Sequence, residues 1–187
     1  MRILHISSAR AFGGGERYLV DLANALSARG HDLYVALRPD SPLNSELTGV
    51  PRSNLLELPL RNALDARSAG QLASFVRKQK IEIVHAHMAR DYPLAAYATR
   101  RNRDAQLIVT RHVLFPLNRL HKVTLSRVAR IIAVSESVGR QLNLQKLVPQ
   151  EKVTVVHNGI DIDRFEASIN GFSREQFRQR WNLPSDS

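Results

Sequence analysis

The sequence predicts an α/β fold: a Rossmann-like, doubly wound parallel sheet with helices on both faces. Two observations lead to this prediction, namely short apolar runs that are nearly continuous and amphipathic helical patterns that alternate with them. A continuous apolar run is typical of a strand that is covered on both faces, as in parallel sheets. The close alternation of strands and helices favours right-handed βαβ units. A length of 187 residues, 43% of them hydrophobic and 24% charged, suits one folded domain.

Strand and helix patterns follow one another in a regular order. In residues 16–29, apolar residues recur on one helix face from Leu19 onward, and Gly30 follows where helices commonly end. Asp65 can cap a second helix, which ends in the basic stretch RKQK at residues 77–80. Strands are predicted at residues 2–7, 32–37, 81–85, 106–110, 130–135 and 152–157, with residues 54–58 as a further candidate. The other helices are predicted at residues 92–101, 116–129 and 136–144.

The composition changes after Ile160, where the strand pattern stops and a polar stretch begins. Residues 1–165 are therefore predicted to form the Rossmann-like domain. Residues 166–187 are predicted to be a linker with one short basic helix, from Arg174 to Trp181.

The chain is strongly basic, with 27 Lys and Arg against 17 Asp and Glu and a formal charge of +10. Such a charge attracts phosphates, whether in nucleic acid, an anionic membrane or small molecules. Nucleic acid is not expected, because aromatic residues are only 6% of the chain and do not interleave with the basic ones. Residues 116–130 form a basic amphipathic pattern, which suits either a solvated charged face or a surface that lies on anionic lipid.

The chain has no cysteine, which excludes disulfides and thiolate metal sites and is compatible with a reducing compartment. It also has no apolar stretch of the roughly 18 residues that cross a membrane, and no signal-peptide pattern. We therefore expect a cytoplasmic protein, either free or peripheral at the inner face of the membrane.

Three consecutive glycines, Gly13, Gly14 and Gly15, stand between the first predicted strand and the first helix. At the carboxyl edge of a parallel sheet, such a loop can present backbone N–H groups to a phosphate. The alternative is a loop that only turns the chain. A dinucleotide site is not expected, because Tyr18 stands where the fingerprint requires its third glycine, and Arg38 rather than an acid follows the second strand.

Three histidines fall where predicted strands end: His85, His87 and His112. His85 and His87 could bind a metal, but no third ligand is evident in the sequence, so no metal site is predicted. The alternative for each histidine is a structural, hydrogen-bonded residue. Glu16 begins the first helix, where it can either complement the helix dipole or accept hydrogen bonds from sugar hydroxyls.

In their order and spacing, the segments RILHISSARAFGGGER, IVHAHM, LIVTRH, RIIAVSES and VTVVHNGID resemble the N-terminal half of the retaining glycosyltransferases of family 4. The resemblance covers nearly the whole chain. It implies one half of a GT-B fold, in which two Rossmann-like domains face each other across a cleft. The N-terminal domain of such an enzyme binds the acceptor, and the C-terminal domain binds the nucleotide-sugar.

The resemblance also assigns roles to single residues. It implies that His112, which would contact the donor sugar, and Glu16, at the glycine loop, are catalytic residues. The residues that it places in donor or acceptor binding are Gly13, Gly14, Gly15, Arg17, His87, Ser135, Glu136 and Asn158.

The chain lacks the family's donor motif, an E-x7-E pattern that belongs to the C-terminal domain. We therefore expect an acceptor-binding domain whose C-terminal partner domain is absent, and little or no activity of this chain alone. The resemblance implies that the full-length enzyme transfers a hexose from a UDP-, GDP- or ADP-sugar, with retention and without a cofactor or an obligatory metal. The expected acceptor is a glycan or a lipid-linked glycan, as in the synthesis of lipopolysaccharide or cell-surface polysaccharide.

Two other classes of protein remain alternatives. The nucleotide-sugar 2-epimerases use the same two-domain fold and resemble this pattern more loosely. The second alternative is a non-catalytic α/β module that binds phosphorylated ligands, which the net charge of +10 supports.

Overall fold

The computed structural model describes residues 1–184, apart from the side chains at positions 164 and 168. Its strands are β1 (Arg2–Ser7), β2 (Asp32–Leu37), β3 (Leu55–Glu57), β4 (Ile83–Ala86), β5 (Gln106–Arg111), β6 (Val128–Ala133) and β7 (Val153–Val155). They form one parallel sheet in the order β3-β2-β1-β4-β5-β6-β7. The order reverses between β1 and β4, as in doubly wound folds.

The helices are α1 (Gly14–Ala28), α2 (Ala66–Lys78), α3 (Tyr92–Arg101), α4 (Leu120–Thr124), α5 (Glu136–Gln145), α6 (Ile162–Ile169) and α7 (Arg174–Arg180). Within residues 1–184, none of these helices is both long and apolar enough to cross a membrane.

The hydrophobic core has two parts, one on each face of the sheet. On one face, Leu4, Ile6 and Val84 lie in a cluster with buried residues of α2, α3 and α5. On the other face, Ile3 and Val35 pack with the apolar stripe of α1. Successive side chains of a strand point to opposite faces, so the continuous apolar strands supply both clusters. The predicted α/β fold with helices on both faces is confirmed.

Two predicted helix ends are confirmed in detail. The carboxylate of Asp65 accepts a hydrogen bond from the Ser68 backbone N–H at 3.1 Å, so Asp65 caps α2. Gly30 follows α1 with φ of +80°, a left-handed conformation in which a Cβ is strained.

The helix predicted at residues 116–129 is wrong. Only α4 is α-helical there, and a short turn then leads directly into β6. The reason lies in the burial of the apolar residues: Leu125 and Val128 are buried, whereas Leu120 and Val123 are exposed, so they share no single buried face. Val128 instead begins β6, where it pairs with Leu107 of β5.

The region after Ile160 contains a helix that the sequence did not reveal, α6. It spans the predicted boundary at residue 165, which stays a prediction. The predicted basic helix further along is confirmed as α7, which Ser173 caps by accepting a hydrogen bond from the Gln176 N–H.

Candidate active site

A cavity of about 560 Å³ lies at the carboxyl edge of the sheet, beyond the ends of β1, β4 and β5. Its walls come from the first turn of α1, from residues 87–90 after β4 and from residues 111–118 around the end of β5. Parallel strands bring their carboxyl ends to one edge, so segments that are far apart in the chain meet there. Of the predicted site residues, Gly15, Glu16, His87 and His112 line this cavity.

His112 follows β5 and packs between α1 and the cavity. Its ring lies 5.0 Å from that of Tyr18, centroid to centroid, and a Cβ at Gly15 would lie 3.5 Å from it. The Nε2 atom of His112 is buried and has no hydrogen-bond partner within residues 1–184. Burial, reinforced by the charge of Arg111, lowers the pKa of His112 to about 4, so the imidazole is neutral at pH 7. The unpaired nitrogen of a neutral ring can donate a hydrogen bond to a ligand hydroxyl or accept one from it, depending on the tautomer.

The sequence suggested that all three glycines lie in a loop, but two of them belong to α1. Gly13 is the extended N-cap residue of α1, and Gly14 and Gly15 are its first helical residues. All three have a φ outside the left-handed region, which among the described glycines only Gly30 and Gly171 adopt. Gly14 is exposed, and a Cβ there would meet no atom within 4 Å. Gly14 therefore leaves open space at the helix N-terminus, where backbone N–H groups lack intrahelical partners.

Glu16 and Arg17 are neighbours in α1 but face different surroundings. The Glu16 carboxylate turns back towards the start of the helix, so that a Cβ at Gly13 would lie 3.2 Å from its Oε2 atom. Arg17 instead donates a hydrogen bond to Glu46 at 3.1 Å, and its guanidinium lies over the Phe12 ring. Arg17 is not among the residues that line the cavity.

Ser135, Glu136 and Asn158 lie beyond the ends of β6 and β7, outside the lining of this cavity. The Ser135 hydroxyl accepts a hydrogen bond from the Val138 N–H at 3.3 Å, so this side chain caps α5. Glu136 and Asn158 are exposed. A second concavity, of about 900 Å³, lies between α1 and the segment that includes Gly159.

Two arginines that sequence reasoning missed line the cavity, Arg90 and Arg111. Arg90 donates hydrogen bonds to the Ser8 hydroxyl at 2.6 Å and to the Ser8 carbonyl at 2.5 Å. Arg111 is buried and donates to the carbonyl of Phe115. Nothing in the sequence separates these two from the other basic residues, because only the fold brings them to the cavity. They make its wall cationic, as a phosphate ligand requires.

The histidines that end the strands belong to a larger buried cluster. His5, in the middle of β1, lies with its Nδ1 atom 3.0 Å from Nε2 of His87, and Nε2 of His85 lies 2.7 Å from the Thr110 hydroxyl. Sequence reasoning missed His5. Its position within the apolar strand RILHIS was a signal, because a polar ring in a buried strand needs a polar partner. Burial lowers the pKa of His5 to about 4 and those of His85 and His87 well below their usual range.

Asp91 is buried beside the cavity wall and accepts a hydrogen bond from the Ser8 backbone N–H at 2.9 Å. Burial raises the pKa of Asp91 to about 6, against the opposing effects of its bonds to Ser8 and the charges of Arg90 and Arg38. The folded state therefore favours the protonated form of this carboxyl group more than the unfolded chain does.

We expect Asp91 to make the chain less stable as the pH rises. The pKa of Asp91 is about 6 in the folded state, against the ordinary value of 3.8 that applies to the unfolded chain. The contribution of Asp91 to the free energy of unfolding therefore falls as the pH rises from about 4 to about 6. Asp91→Asn removes this dependence. From about pH 4.5 to about pH 7.5, the free energy of unfolding of the variant should rise by about 2 kcal/mol relative to that of the native chain. Urea unfolding of both chains measures it, and a difference that does not change with pH would contradict the prediction.

The open parallel sheet, with a cationic cavity beside a glycine-rich helix start, defines a Rossmann-like α/β domain. The family model of Glycosyltransferase Family 4 matches residues 12–164, so the chain belongs to this glycosyltransferase family. No curated protein matches the chain in sequence.

Solved structures share the fold at low identity. A glycosyltransferase from Rickettsia africae has a TM-score of 0.77 and 20% identity, over 99% of this chain and 50% of that one. Anabaena HepE, solved in complex with UDP and glucose, has a TM-score of 0.71 and 18% identity, over 97% and 50%. The lipopolysaccharide outer core galactosyltransferase WaaB has 0.63 and 14%, over 87% and 47%. The chain spans about half the length of these proteins, and UDP-N-acetylglucosamine 2-epimerases share the fold as well.

Proposed function

We propose that this chain is the acceptor-binding half of a retaining glycosyltransferase that transfers a hexose from a nucleotide-diphosphate sugar. The main observation is the unpaired, neutral His112 ring at a cavity that the start of α1 and two arginines also line. The family match supports transfer rather than epimerisation. HepE, solved with UDP-glucose, supports a nucleotide-sugar as the donor.

In this proposal, each wall of the cavity has a separate task. The open space at Gly14 lets the donor diphosphate approach the N–H groups that begin α1. His112 forms a hydrogen bond with a hydroxyl of the donor sugar through Nε2, and Glu16 accepts one from a sugar hydroxyl. Arg90 and Arg111 stabilise negative charge that develops on the leaving diphosphate.

Ser135, Glu136 and Asn158 are proposed to meet the ligand only when a second domain closes the cleft, since they lie at the same edge of the sheet but outside the cavity. The chain spans about half the length of the matched structures, which supports a partner domain that holds the donor. This chain alone is then expected to transfer no sugar.

The decisive experiment joins this chain to its native downstream sequence and assays the longer protein with UDP-, GDP- and ADP-sugars. Transfer to a glycan acceptor, with the anomeric configuration of the donor kept in the product, supports the proposal. Conversion of UDP-N-acetylglucosamine to its 2-epimer without an acceptor would instead support the epimerase. Loss of both reactions, together with tight binding of phosphorylated ligands, would support the non-catalytic module.

We also propose that the rim of the cavity rests on an anionic membrane surface at the inner face of the membrane, where a lipid-linked acceptor is presented. Residues 113–123 contain exposed apolar side chains, among them Phe115, 78% exposed, and Leu120, 76% exposed. The exposed basic residues Arg119 and Lys122 lie in the same segment. Apolar side chains with neighbouring cations suit a lipid interface. The match to WaaB supports a lipopolysaccharide acceptor.

Replacing Phe115 and Leu120 with serine is expected to reduce binding to anionic vesicles several-fold, because it removes apolar area that enters the interface. Flotation with phosphatidylglycerol vesicles measures this binding. Leu64→Ser is the matched control, since Leu64 is 90% exposed but belongs to the segment before α2. Equal flotation of the native chain with neutral and anionic vesicles, or no effect of the double variant, would favour a solvated charged face.

A further inference from the structure

We propose that His5, His85 and His87 form a binding site for one transition-metal ion of the zinc type. Each ring offers one nitrogen, and the three nitrogens lie within 4.8 Å of one another. All three side chains are buried. The three rings lie on one face of the sheet, and the proposal does not depend on the proposed transfer reaction.

The sheet brings the three rings together. His5 of β1 is directly opposite His85 of the neighbouring β4, and His87 follows two residues later, where a side chain returns to the same face. The ring centroids of His85 and His87 are 4.2 Å apart, and that of His5 lies 5.1 Å and 5.2 Å from them. The sequence shows the two histidines of β4 as an HxH pair, but only strand pairing supplies the third.

The distances suit a small ion. Two nitrogens that bind tetrahedral zinc, each at about 2.0–2.1 Å, are about 3.3 Å apart. Nδ1 of His5 and Nε2 of His87 are 3.0 Å apart, so a slight separation of the rings admits the ion between them. The bond between Nε2 of His85 and the Thr110 hydroxyl, 2.7 Å long, is the kind of contact that orients a metal-binding imidazole.

Nε2 of His5 and Nδ1 of His87 are both buried and have no partner in the part of the chain that is described. They are the outer nitrogens of the two rings, whereas Nδ1 of His5 and Nε2 of His87 face each other at 3.0 Å. An ion bound by the two facing nitrogens takes the place of the hydrogen bond that joins the rings.

The donor set selects the ion. Three imidazoles suit Zn²⁺, Co²⁺, Ni²⁺ or Cu²⁺, whereas Mg²⁺ and Ca²⁺ prefer oxygen ligands. Because His87 also lines the cavity, water can reach the ion from that side as a fourth ligand.

The test uses the untagged chain, treated with EDTA, dialysed, and titrated with Co²⁺ and then Zn²⁺. The expected result is one ion bound per chain, with the visible absorption of tetrahedral Co²⁺ that Zn²⁺ then removes. His5→Gln and His87→Asn, checked for folding by circular dichroism, should lower the affinity at least tenfold. His157→Gln, at an exposed histidine, should leave it unchanged.

Thr110→Val keeps the shape of the buried side chain but removes the hydroxyl that orients His85. It should weaken the binding of Co²⁺ about 10–100-fold, and it decides the matter if the histidine variants do not fold. A native chain that binds no Co²⁺ or Zn²⁺ overturns the proposal, as does native affinity in Thr110→Val or in a folded histidine variant.

Discussion

Replacing His112 with alanine in the longer protein, the chain joined to its native downstream sequence, is expected to lower kcat for sugar transfer by about 100-fold or more. Removing one preorganised hydrogen-bonding group from a reacting centre has effects of this size. The buried Nε2 atom of His112 has no protein partner among the described residues, so its proposed partner is the substrate. Steady-state kinetics with the preferred nucleotide-sugar measures the loss.

The fold should survive this change, because His112 is only partly buried and its neighbours are Gly15 and the rings of Tyr18 and His87. A matched control is His31→Ala, since His31 lies between α1 and β2, at the opposite edge of the sheet. The control should retain native turnover. If His112→Ala also keeps native kcat, His112 does not act in the reaction; a rise in KM alone would restrict it to binding.

Replacing Gly14 with leucine is expected to lower transfer at least tenfold without unfolding the chain. A Cβ at Gly14 meets no atom within 4 Å, so a side chain can leave the backbone there without a clash at its first carbon. We expect the leucine to fill the space through which a diphosphate approaches the start of α1. Binding of the nucleotide-sugar to the longer protein, measured by calorimetry, should weaken in parallel.

Gly70 offers a matched control, because it lies in α2 and a Cβ there also meets no atom within 4 Å. Alanine at either glycine should leave stability unchanged or raise it by up to about 1 kcal/mol, since glycine weakens helices. Leucine at Gly70 should leave transfer unchanged. Native activity of Gly14→Leu would show that the space before α1 is not used by the substrate.

The strands were predictable because each prediction depends on its own residues. The continuous apolar runs of β1 and β2 identify strands covered on both faces, and their bounds in the structure match the predicted ones. Asp65 and Gly30 were predictable for a similar reason, since a helix cap depends on a few neighbouring residues.

Predictions that depended on the surroundings of a segment were less accurate. The amphipathic pattern at residues 116–129 has the period of a helix, yet β6 takes Val128, and α4 is correspondingly short. The glycines were expected to form a loop before the first helix, but Gly14 and Gly15 belong to the helix itself.

The sequence by itself determined the α/β class, most of the elements and the edge at which Gly15, Glu16, His87 and His112 meet, because strand direction in a parallel sheet places every carboxyl end on one side. Only the tertiary structure decided which side chains share the cavity. It brought in Arg90 and Arg111, directed Arg17 towards Glu46 and set His5 against His87. Such contacts depend on strand order and on packing between segments that are 29 residues apart for Arg17 and Glu46 and 82 apart for His5 and His87, which local patterns do not encode.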